Sequence, residues 1–386
     1  GIGRTKAALI AERFGADTFR VLSEEPERLA EVRGVGESQA RAIAEAWQEQ
    51  ATTREIADFL RQFDLDVALA PVVFNVYGGQ AVDFIKQNPY RLEQDFEEVS
   101  FQAIERVARQ LGYPLDGRDR LASAVRHRLL ALSEEGHVFA LYDRLVSKVA
   151  EKLQVSRDGV EDAIALLRQV KQVIVEPIPE DRAHAARVYL TPYFLLETGV
   201  ARHLAAILAT PEEHPPALNW GAFFASYEAD EQVALEARQR SAVRLAATAK
   251  ACIVTGGPGV GKTMTLRVLT RALQQMAESY CLGAPTGRAA KRLANMTGDT
   301  AMTIHRLLGF QPGTGRFKSD AENPLPYHYV VIDEASMLDL SLFSQLLKAI
   351  PPEAHLVLVG DADQLPSIGP GNVLADLIAS ECVPVE

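Results

Sequence analysis

The sequence of 386 residues has few cysteines and no long apolar run. Cys252, Cys281 and Cys382 lie far apart without a CxxC pair, which predicts small buried side chains in a reducing compartment rather than a disulfide framework. The apolar run that begins at Ala251 is broken by Gly256, so no segment is expected to span a membrane. These absences predict a cytoplasmic protein without a membrane partner.

An excess of basic residues is also missing, because 51 acidic residues outnumber 40 Lys and Arg and leave a net charge of -11. Proteins that bind nucleic acid over a broad surface rely on a basic excess. Any contact with nucleic acid is therefore expected in a local patch. The length predicts several domains. The first residues, Gly1-Ile2-Gly3, already form a glycine hairpin without an initiator methionine, so we expect a fragment at both ends.

Residues 1–115 have apolar positions three to four residues apart, which predicts helices. The hairpin at Gly1 recurs 33 residues later as Gly34-Val35-Gly36, and a less regular copy follows at Tyr77-Gly78-Gly79. Each hairpin precedes an apolar helical pattern. This is a weak internal repeat of glycine turns and helices.

Two further segments precede the last part of the chain. Residues 116–176 predict three helices followed by the β-branched run 173–175, an order that fits a helix-turn-helix or winged-helix unit. Residues 177–228 are rich in proline and predict a connector with one helix at about 191–209.

From residue 229 to 386, helical patterns alternate with short apolar strands. Near-continuous apolar strands between helices are typical of a parallel sheet that is covered on both faces. Each strand is followed by a polar motif, and open α/β sheets bind ligands at the carboxyl ends of their strands. We therefore expect an α/β domain of the P-loop type here, at strands 252–254, 280–282, 329–332 and 356–359.

The sequence GGPGVGKT at residues 256–263 matches the complete phosphate-binding loop and lies between a predicted strand and a predicted helix. Backbone N–H groups of such a loop bind phosphates, Lys262 would reach the β and γ phosphates, and Thr263 would ligate magnesium. The pattern predicts ATP and Mg²⁺ as cofactors. The candidate nucleotide-binding residues are Gly257, Pro258, Gly259, Val260, Gly261, Lys262 and Thr263.

Two acids follow the predicted strand 329–332, about 70 residues after the phosphate loop. Asp333 would hold magnesium, and Glu334 would orient and deprotonate the attacking water. A strand followed by two acids often only reaches solvent, but the phosphate loop upstream favours the catalytic interpretation. Gln364, in the polar loop after the last strand, is a candidate sensor of the γ-phosphate.

Residues 284–310 contain four basic residues and one acid, which makes them the local basic patch of an acidic chain. Thr286, Arg288, Thr303 and His305 follow strands or a short helix and are candidate contacts to the phosphates of a single DNA strand. Two alternatives stay open. Lys291 and Arg292 fit a solvated helix face equally well, and His305 fits a packed histidine.

Five motifs together, GGPGVGKT, APTGRAA, TIHRLL, VIDEASML and GDADQLPSIGPGN, resemble motifs I, Ia, Ib, II and III of the RecD-like branch of superfamily 1 helicases. The resemblance covers residues 229–386. It implies a motor that moves 5′ to 3′ on single-stranded DNA and unwinds duplex DNA in repair or recombination. It also implies that Gln239 recognises adenine, with Gln232 as the second candidate.

The N-terminal region resembles the helix-hairpin-helix repeats of longer RecD-like proteins. The resemblance implies that Gly34 and Gly36 bind a DNA phosphate through backbone N–H groups, in duplex or junction DNA, and that the region could also hold a partner protein. The sequence stops just after motif III. We therefore expect a chain without the second motor domain of this family, which binds ATP and hydrolyses it poorly.

Other functions remain open. A DNA-binding or scaffolding protein could use nucleotide as a switch without translocation, although a switch has little need of a water-activating acid such as Glu334 or a sensor such as Gln364. A relaxase-linked conjugation helicase would share the motor and differ in its fused domains.

Overall fold

The computed structural model describes residues 3–96, 98–178, 186–211, 218–257, 259–365 and 367–386. Its internal contacts divide the chain into two compact units. The first contains Gly1–His127 and Leu153–Ala163, and the second contains Arg128–Lys152 and Ile164–Glu386. The predicted boundaries at 115, 176 and 228 stay predictions.

The first unit is helical, as the spacing of its apolar residues predicts. Residues such as Ile10, Val21, Leu29 and Ile43 form a buried core because they recur on the inner faces of successive helices. The helices are α1 (Arg4–Phe14), α2 (Thr18–Glu24), α3 (Glu37–Gln62), α4 (Ala70–Tyr77), α5 (Ala81–Gln87), α6 (Tyr90–Asp95) and α7 (Phe101–Gln110), followed by α8 (Arg118–Glu134), which extends into the second unit.

The glycine repeat appears as a pair of related helix starts. Gly3 precedes α1 and Gly36 precedes α3, each in an extended conformation. Lys6 and Gln39, each three residues after its glycine, hydrogen bond to one another through Nζ and Oε1 at 2.7 Å. Equivalent positions of the two copies therefore meet. The other two residues of the first hairpin lie outside the described residues.

One helical stretch, Val67–Gln87, is long and apolar enough to cross a membrane by length and composition alone. This is weak evidence, because the core helix of a soluble protein passes the same test. The stretch is interrupted at Gly78, where φ is +63°, and Val73 and Ile85 are fully buried in the helical unit. The sequence-based statement that the chain has no long apolar run is nevertheless too strict, because this stretch passes the test of length and composition.

Residues 116–176, for which a winged-helix unit is predicted, contain helices and two strands, β1 and β2, of an antiparallel sheet whose strand order is β1-β3-β2. The predicted strand at 173–175 is confirmed as β2. The elements are β1 (Phe139–Leu141), α9 (Tyr142–Leu153), α10 (Arg157–Gln169), β2 (Val173–Pro177) and β3 (Ala186–Leu190).

The stretch predicted as a connector is more ordered than its prolines suggest. Its predicted helix is confirmed as α11 (Thr191–Ala209), but the sequence interpretation missed β3 and α12 (Trp220–Glu231). Strand β3 forms because it pairs with β2, with Val173 opposite Leu190. Helix α12 forms because Phe223, Phe224 and Tyr227 pack into an apolar cluster with later helices.

The C-terminal part of the second unit is the expected parallel α/β domain, with strand order β4-β8-β7-β5-β6. The four predicted strands are confirmed and the short edge strand β6 is additional. The strands are β4 (Ala251–Thr255), β5 (Tyr280–Ala284), β6 (Ala301–Thr303), β7 (Tyr329–Ile332) and β8 (His355–Gly360). The helices are α13 (Ala237–Thr248), α14 (Lys262–Gln275), α15 (Gly287–Thr297), α16 (Ile304–Leu307), α17 (Leu340–Ala349) and α18 (Val373–Ser380).

Both faces of this sheet are covered. Successive residues of β7 point to opposite faces, so Val331 packs with the α13 and α14 side while Val330 packs with the α11 and α17 side. Cys252 and Cys281 are buried as predicted, but Cys382 is exposed and contradicts the expectation of three buried thiols. Cys382 follows α18, where Ser380 contacts its sulfur at 2.9 Å.

Candidate functional site

The phosphate loop connects β4 to α14 at the carboxyl edge of the parallel sheet. Gly261 has φ of +88°, and a Cβ there would lie 2.3 Å from Nε2 of Gln239. The left-handed backbone therefore favours glycine here, and a Cβ would force the end of the Gln239 side chain to move. Lys262 donates from Nζ to the carbonyl oxygen of Gly257 at 3.0 Å and to that of Gly256. Its ammonium group lies over the loop that would hold phosphates.

The remaining predicted loop residues have different positions. Gly257 is half-buried, and Gly259 and Val260 are exposed at the turn of the loop. Thr263 lies in the first turn of α14, where the helix dipole favours negative charge. Pro258 lies outside the described residues. The observed loop geometry fits a phosphate cradle of glycines followed by a helix N-terminus.

Gln239 lies beside the same loop. Its Oε1 accepts a hydrogen bond from the backbone N–H of Glu236 at 3.0 Å, which closes a capping box at the start of α13. The amide nitrogen is thereby directed to Gly261. The second candidate, Gln232, instead ends α12 in a left-handed conformation. The structure therefore brings Gln239 to the phosphate loop.

The two predicted acids follow β7 directly. Asp333 is 6% exposed, and burial raises the pKa of its carboxyl above the usual range. Its Oδ1 accepts from the backbone N–H of Glu334 at 2.9 Å. Glu334 has φ of +55°, a conformation that non-glycine residues seldom adopt and that is frequent at functional sites.

Arg292 is a site residue whose contact the sequence did not reveal. It extends from α15, and its Nη2 hydrogen bonds to Oε1 of Glu334 and lies 3.7 Å from Oδ2 of Asp333. The sequence interpretation had left it on a solvated face or in a DNA patch. The contact depends on β5 and β7 being neighbours in the sheet, which no local pattern reveals.

Two of the predicted DNA contacts cap helices. Oγ1 of Thr286 accepts from the backbone N–H of Ala289 at 3.2 Å, and Oγ1 of Thr303 accepts from that of Arg306 at 3.2 Å. Thr286 thus begins α15 and Thr303 begins α16. The sequence missed this capping. A capping oxygen leaves the hydroxyl proton able to donate to a phosphate.

His305 is exposed and packs against two aromatic rings, so both its interpretation as a DNA contact and the alternative of a packed histidine stay open. Its ring lies 5.5 Å from that of Phe310 and 5.8 Å from that of Phe317. These two rings also contact each other. His305 is therefore an exposed side chain that packs against a pair of aromatic rings.

A cleft of about 700 Å³ joins several of these groups. Thr286 and Arg288 line it together with Glu334 and Gln364, so predicted DNA contacts and predicted catalytic residues share one surface. Gln364 is exposed, and its Nε2 lies 3.5 Å from Oδ2 of Asp361. Thr303 and His305 are not among the residues that line this cleft. The remaining lining includes Ala289, Lys291, Arg292, Asn295, Met296 and Met337.

A magnesium ion that is held partly by phosphates needs only one or two protein carboxylates. Thr263 lies in the first turn of the helix after the phosphate loop, and the buried Asp333 follows β7 at the same carboxyl edge of the parallel sheet, so a hydroxyl and a carboxylate are present at this edge, which fits this requirement. Among the described residues there is no group of three or more His, Cys, Asp and Glu side chains that could hold a metal by itself. The residues present therefore fit a nucleotide-bound magnesium rather than a separate metal centre.

The hairpin at Gly34 and Gly36 is a separate candidate in the first unit. Gly34 has φ of +86°, both glycines are exposed, and Val35 between them is buried. Gly36 precedes α3 without a side chain that caps the helix. The first N–H groups of α3 are therefore accessible from the hairpin side.

Two family models match parts of the chain. A model described as an AAA domain covers residues 239–370, and a model described as the ATP-dependent RecD2 DNA helicase HHH domain covers residues 49–139. The first includes Gln239, the phosphate loop, both acids and Gln364. The second begins after Gly34 and Gly36 and includes the third, less regular glycine turn, so the DNA contact of the earlier hairpin stays a prediction.

Curated relatives match the same regions. The ATP-dependent RecD2 DNA helicase of Deinococcus radiodurans is 30% identical over 383 residues, which are 98% of this chain and 53% of the relative. The RecBCD enzyme subunit RecD of Mycobacterium tuberculosis is 43% identical over 163 residues, 36% of this chain and 28% of the relative. The helicase dda of phage T4 is 32% identical over 125 residues, 31% of this chain and 28% of the relative. The chain thus spans about half the length of the first relative and less of the others.

Proposed function

We propose, from the RecD2-type helix-hairpin-helix domain and the AAA domain that this RecD-like chain carries, that the protein is an ATP-dependent DNA helicase. It moves 5′ to 3′ along single-stranded DNA, unwinds duplex DNA and serves DNA repair or recombination in the cytoplasm. The observation that supports this best is the cleft in which Thr286 and Arg288 lie beside Glu334 and Gln364. In a DNA-dependent motor, contacts to DNA must be linked to the group that activates water, and here both line the same cleft.

The phosphate loop and the adjacent side chains would bind ATP. Gln239 would contact adenine, Lys262 would bind the β and γ phosphates, and Thr263 and Asp333 would hold Mg²⁺. Magnesium, when bound, neutralises charge that develops on the transferred phosphoryl group. Glu334 would orient water and accept its proton, and Gln364 would respond to the γ-phosphate.

The DNA contacts would be divided between the two units. Thr286, Arg288, Thr303 and His305 would hold the single strand. Gly34, Gly36 and the matched helix-hairpin-helix domain would hold duplex or junction DNA or a partner protein. Binding and hydrolysis of ATP would shift the populations of conformations that hold the DNA strand differently. Such a shift would couple ATP hydrolysis to movement along the strand.

The first test is hydrolysis of ATP by the complete protein, with and without single-stranded DNA, for the wild type and Glu334→Gln. We expect DNA to stimulate the wild type, and the variant to lose about 10²-fold or more of the stimulated rate because the proton acceptor is gone. Binding of ATP should persist. Glu322→Gln, an exposed acid in a loop, is the matched control and should behave as the wild type. Hydrolysis that ignores DNA would instead favour a nucleotide-switched DNA-binding protein or scaffold.

Direction of movement is tested with partial duplexes that carry either a 5′ or a 3′ single-stranded tail. We expect ATP-dependent unwinding from the 5′ tail. Unwinding from the 3′ tail alone would contradict the proposed polarity, while leaving the helicase activity itself in place.

A further inference from the structure

Arg292 is the only arginine of the described residues that the structure pairs with both acids of the site. The side chain of Arg292 is 54% exposed, whereas that of Glu334 is 16% exposed. Arg292 therefore extends from the open cleft to a carboxylate that is largely buried. Its guanidinium group contacts the residue that is proposed to activate water.

This contact affects the availability of Glu334. A general base must bring a free carboxylate oxygen within hydrogen-bonding reach of the attacking water. Oε1 of Glu334 instead accepts from Nη2 of Arg292, and a charge-assisted hydrogen bond of this kind holds the side chain in one orientation. Glu334 is consequently directed to α15 as long as the pair persists.

Besides contacting the two acids, Arg292 lines the cleft. Thr286, Arg288 and Lys291, all at the start of α15 or on it, line the same surface. A DNA strand in this cleft would place phosphates among three positively charged side chains. Because a guanidinium group binds phosphate in the same bidentate way as carboxylate, a phosphate competes with Glu334 for Arg292.

We propose that Arg292 is a positioning residue that partitions between Glu334 and a phosphate of single-stranded DNA in this cleft, and so links DNA binding to ATP hydrolysis. The inference rests on the proposed function, since it assigns Glu334 as the base and the cleft as part of the DNA path. When Arg292 turns to the phosphate, Glu334 is released to the attacking water. When it returns, hydrolysis slows.

The test compares the wild type, Arg292→Gln and Arg292→Lys of the complete protein in steady-state ATP hydrolysis, with and without single-stranded DNA. Without DNA, we expect Arg292→Gln to raise kcat by roughly fivefold, which is the effect of removing one partly exposed ion pair, with KM for ATP unchanged. With saturating DNA its kcat should stay near the wild-type value. The ratio of the two rates therefore falls.

Arg292→Lys keeps the positive charge and should restore most of the slow rate without DNA. Arg271→Gln is the matched control, because Arg271 is an exposed arginine on α14 that contacts Gln274. Adding Glu334→Gln to Arg292→Gln should abolish the gained hydrolysis, which shows that the gain passes through Glu334. Thermal melting of each variant checks that α15 is intact.

An unchanged or lower kcat of Arg292→Gln without DNA would overturn the proposal, since the pair then restrains nothing. The failure of the proposed function has a different signature. In that case the wild type hydrolyses ATP at the same rate with and without DNA. Whether Arg292 restrains Glu334 is then still decided by comparing the wild type with Arg292→Gln in the absence of DNA. A rise in KM without a rise in kcat would likewise contradict the proposal, because it would place Arg292 in nucleotide binding.

Discussion

At the scale of single residues, Gly261 illustrates how a motif position is decided by two constraints. The sequence pattern requires glycine there for a phosphate loop. The structure adds Gln239, whose amide nitrogen lies 2.3 Å from the position that a Cβ of residue 261 would take. The predicted adenine contact and the predicted phosphate loop therefore touch, although 22 residues separate them in the sequence.

Gly261→Ala should weaken ATP binding by about tenfold or more, because the left-handed φ alone costs of order 1–3 kcal/mol and the new methyl group displaces Gln239. Titration with a fluorescent ATP analogue measures the change in Kd. Gly313→Ala is the control, since Gly313 has open space around its Cα and no left-handed φ. Equal affinity of the two variants would show that the loop adapts without cost.

At the scale of secondary-structure elements, a buried ion pair links α7 to α8 within the first unit. Arg120, at 3% exposed, donates from Nε and Nη2 to the carboxylate of Glu105 at 2.8 and 3.0 Å. Tyr90 of α6 also donates to Glu105 at 2.7 Å. Three helices that are separate in sequence are joined at one carboxylate.

The hydrogen bonds and charges of this network change the pKa of Glu105. Burial raises it, but the hydrogen bonds from Arg120 and Tyr90 outweigh burial, and the net pKa is lowered. A lowered carboxyl pKa stabilises the fold above the pKa of the unfolded chain, about 4.3, and the stabilisation is lost as the pH falls through the folded value. The contribution is therefore complete at neutral pH.

Arg120→Met should lower the free energy of unfolding by roughly 3 kcal/mol at pH 7, because it leaves the buried Glu105 without its partner. The loss should shrink as the pH falls, because Glu105 without Arg120 keeps the effect of burial on its pKa and takes up a proton at a higher pH than in the wild type. Chemical denaturation at several pH values measures both effects. Arg109→Met removes a contact of 3.7 Å from an exposed arginine to the same carboxylate, and should cost less than about 1 kcal/mol. Similar losses for the two variants would contradict a special contribution of Arg120.

At the scale of the whole molecule, the charge distribution limits how the chain can bind DNA. A net charge of -11 disfavours contact with phosphates over most of the surface. The cleft beside α15 nevertheless carries Arg288, Lys291 and Arg292. The proposed binding of DNA beside α15 should consequently depend on a few contacts.

Arg288→Gln should reduce the magnitude of the salt dependence of single-stranded DNA binding by about 0.7 in the slope of log K against log salt concentration, the value for one phosphate contact. Fluorescence anisotropy at four or more salt concentrations gives the slope. Arg271 does not line the cleft, so Arg271→Gln should leave the slope unchanged. An equal slope in the wild type and Arg288→Gln would show that Arg288 does not contact a DNA phosphate.

The sequence by itself determined the features that depend on neighbouring residues. The four apolar strands, the glycine loop before α14 and the acids after β7 were all predicted, because strand pattern, loop conformation and helix start are properties of a short segment. The order of the motifs along the chain was enough to indicate a RecD-like motor. The helical character of the first 115 residues followed in the same way from its periodicity.

Only the tertiary structure decided which distant segments meet. Strands β3 and β6 exist through pairing, α12 through its aromatic packing, and the Arg292–Glu334 contact through the adjacency of β5 and β7. Each of these joins residues that are far apart in the sequence. The free energy that selects such contacts comes from burial and charge pairing in the folded chain, so no window of the sequence contains it.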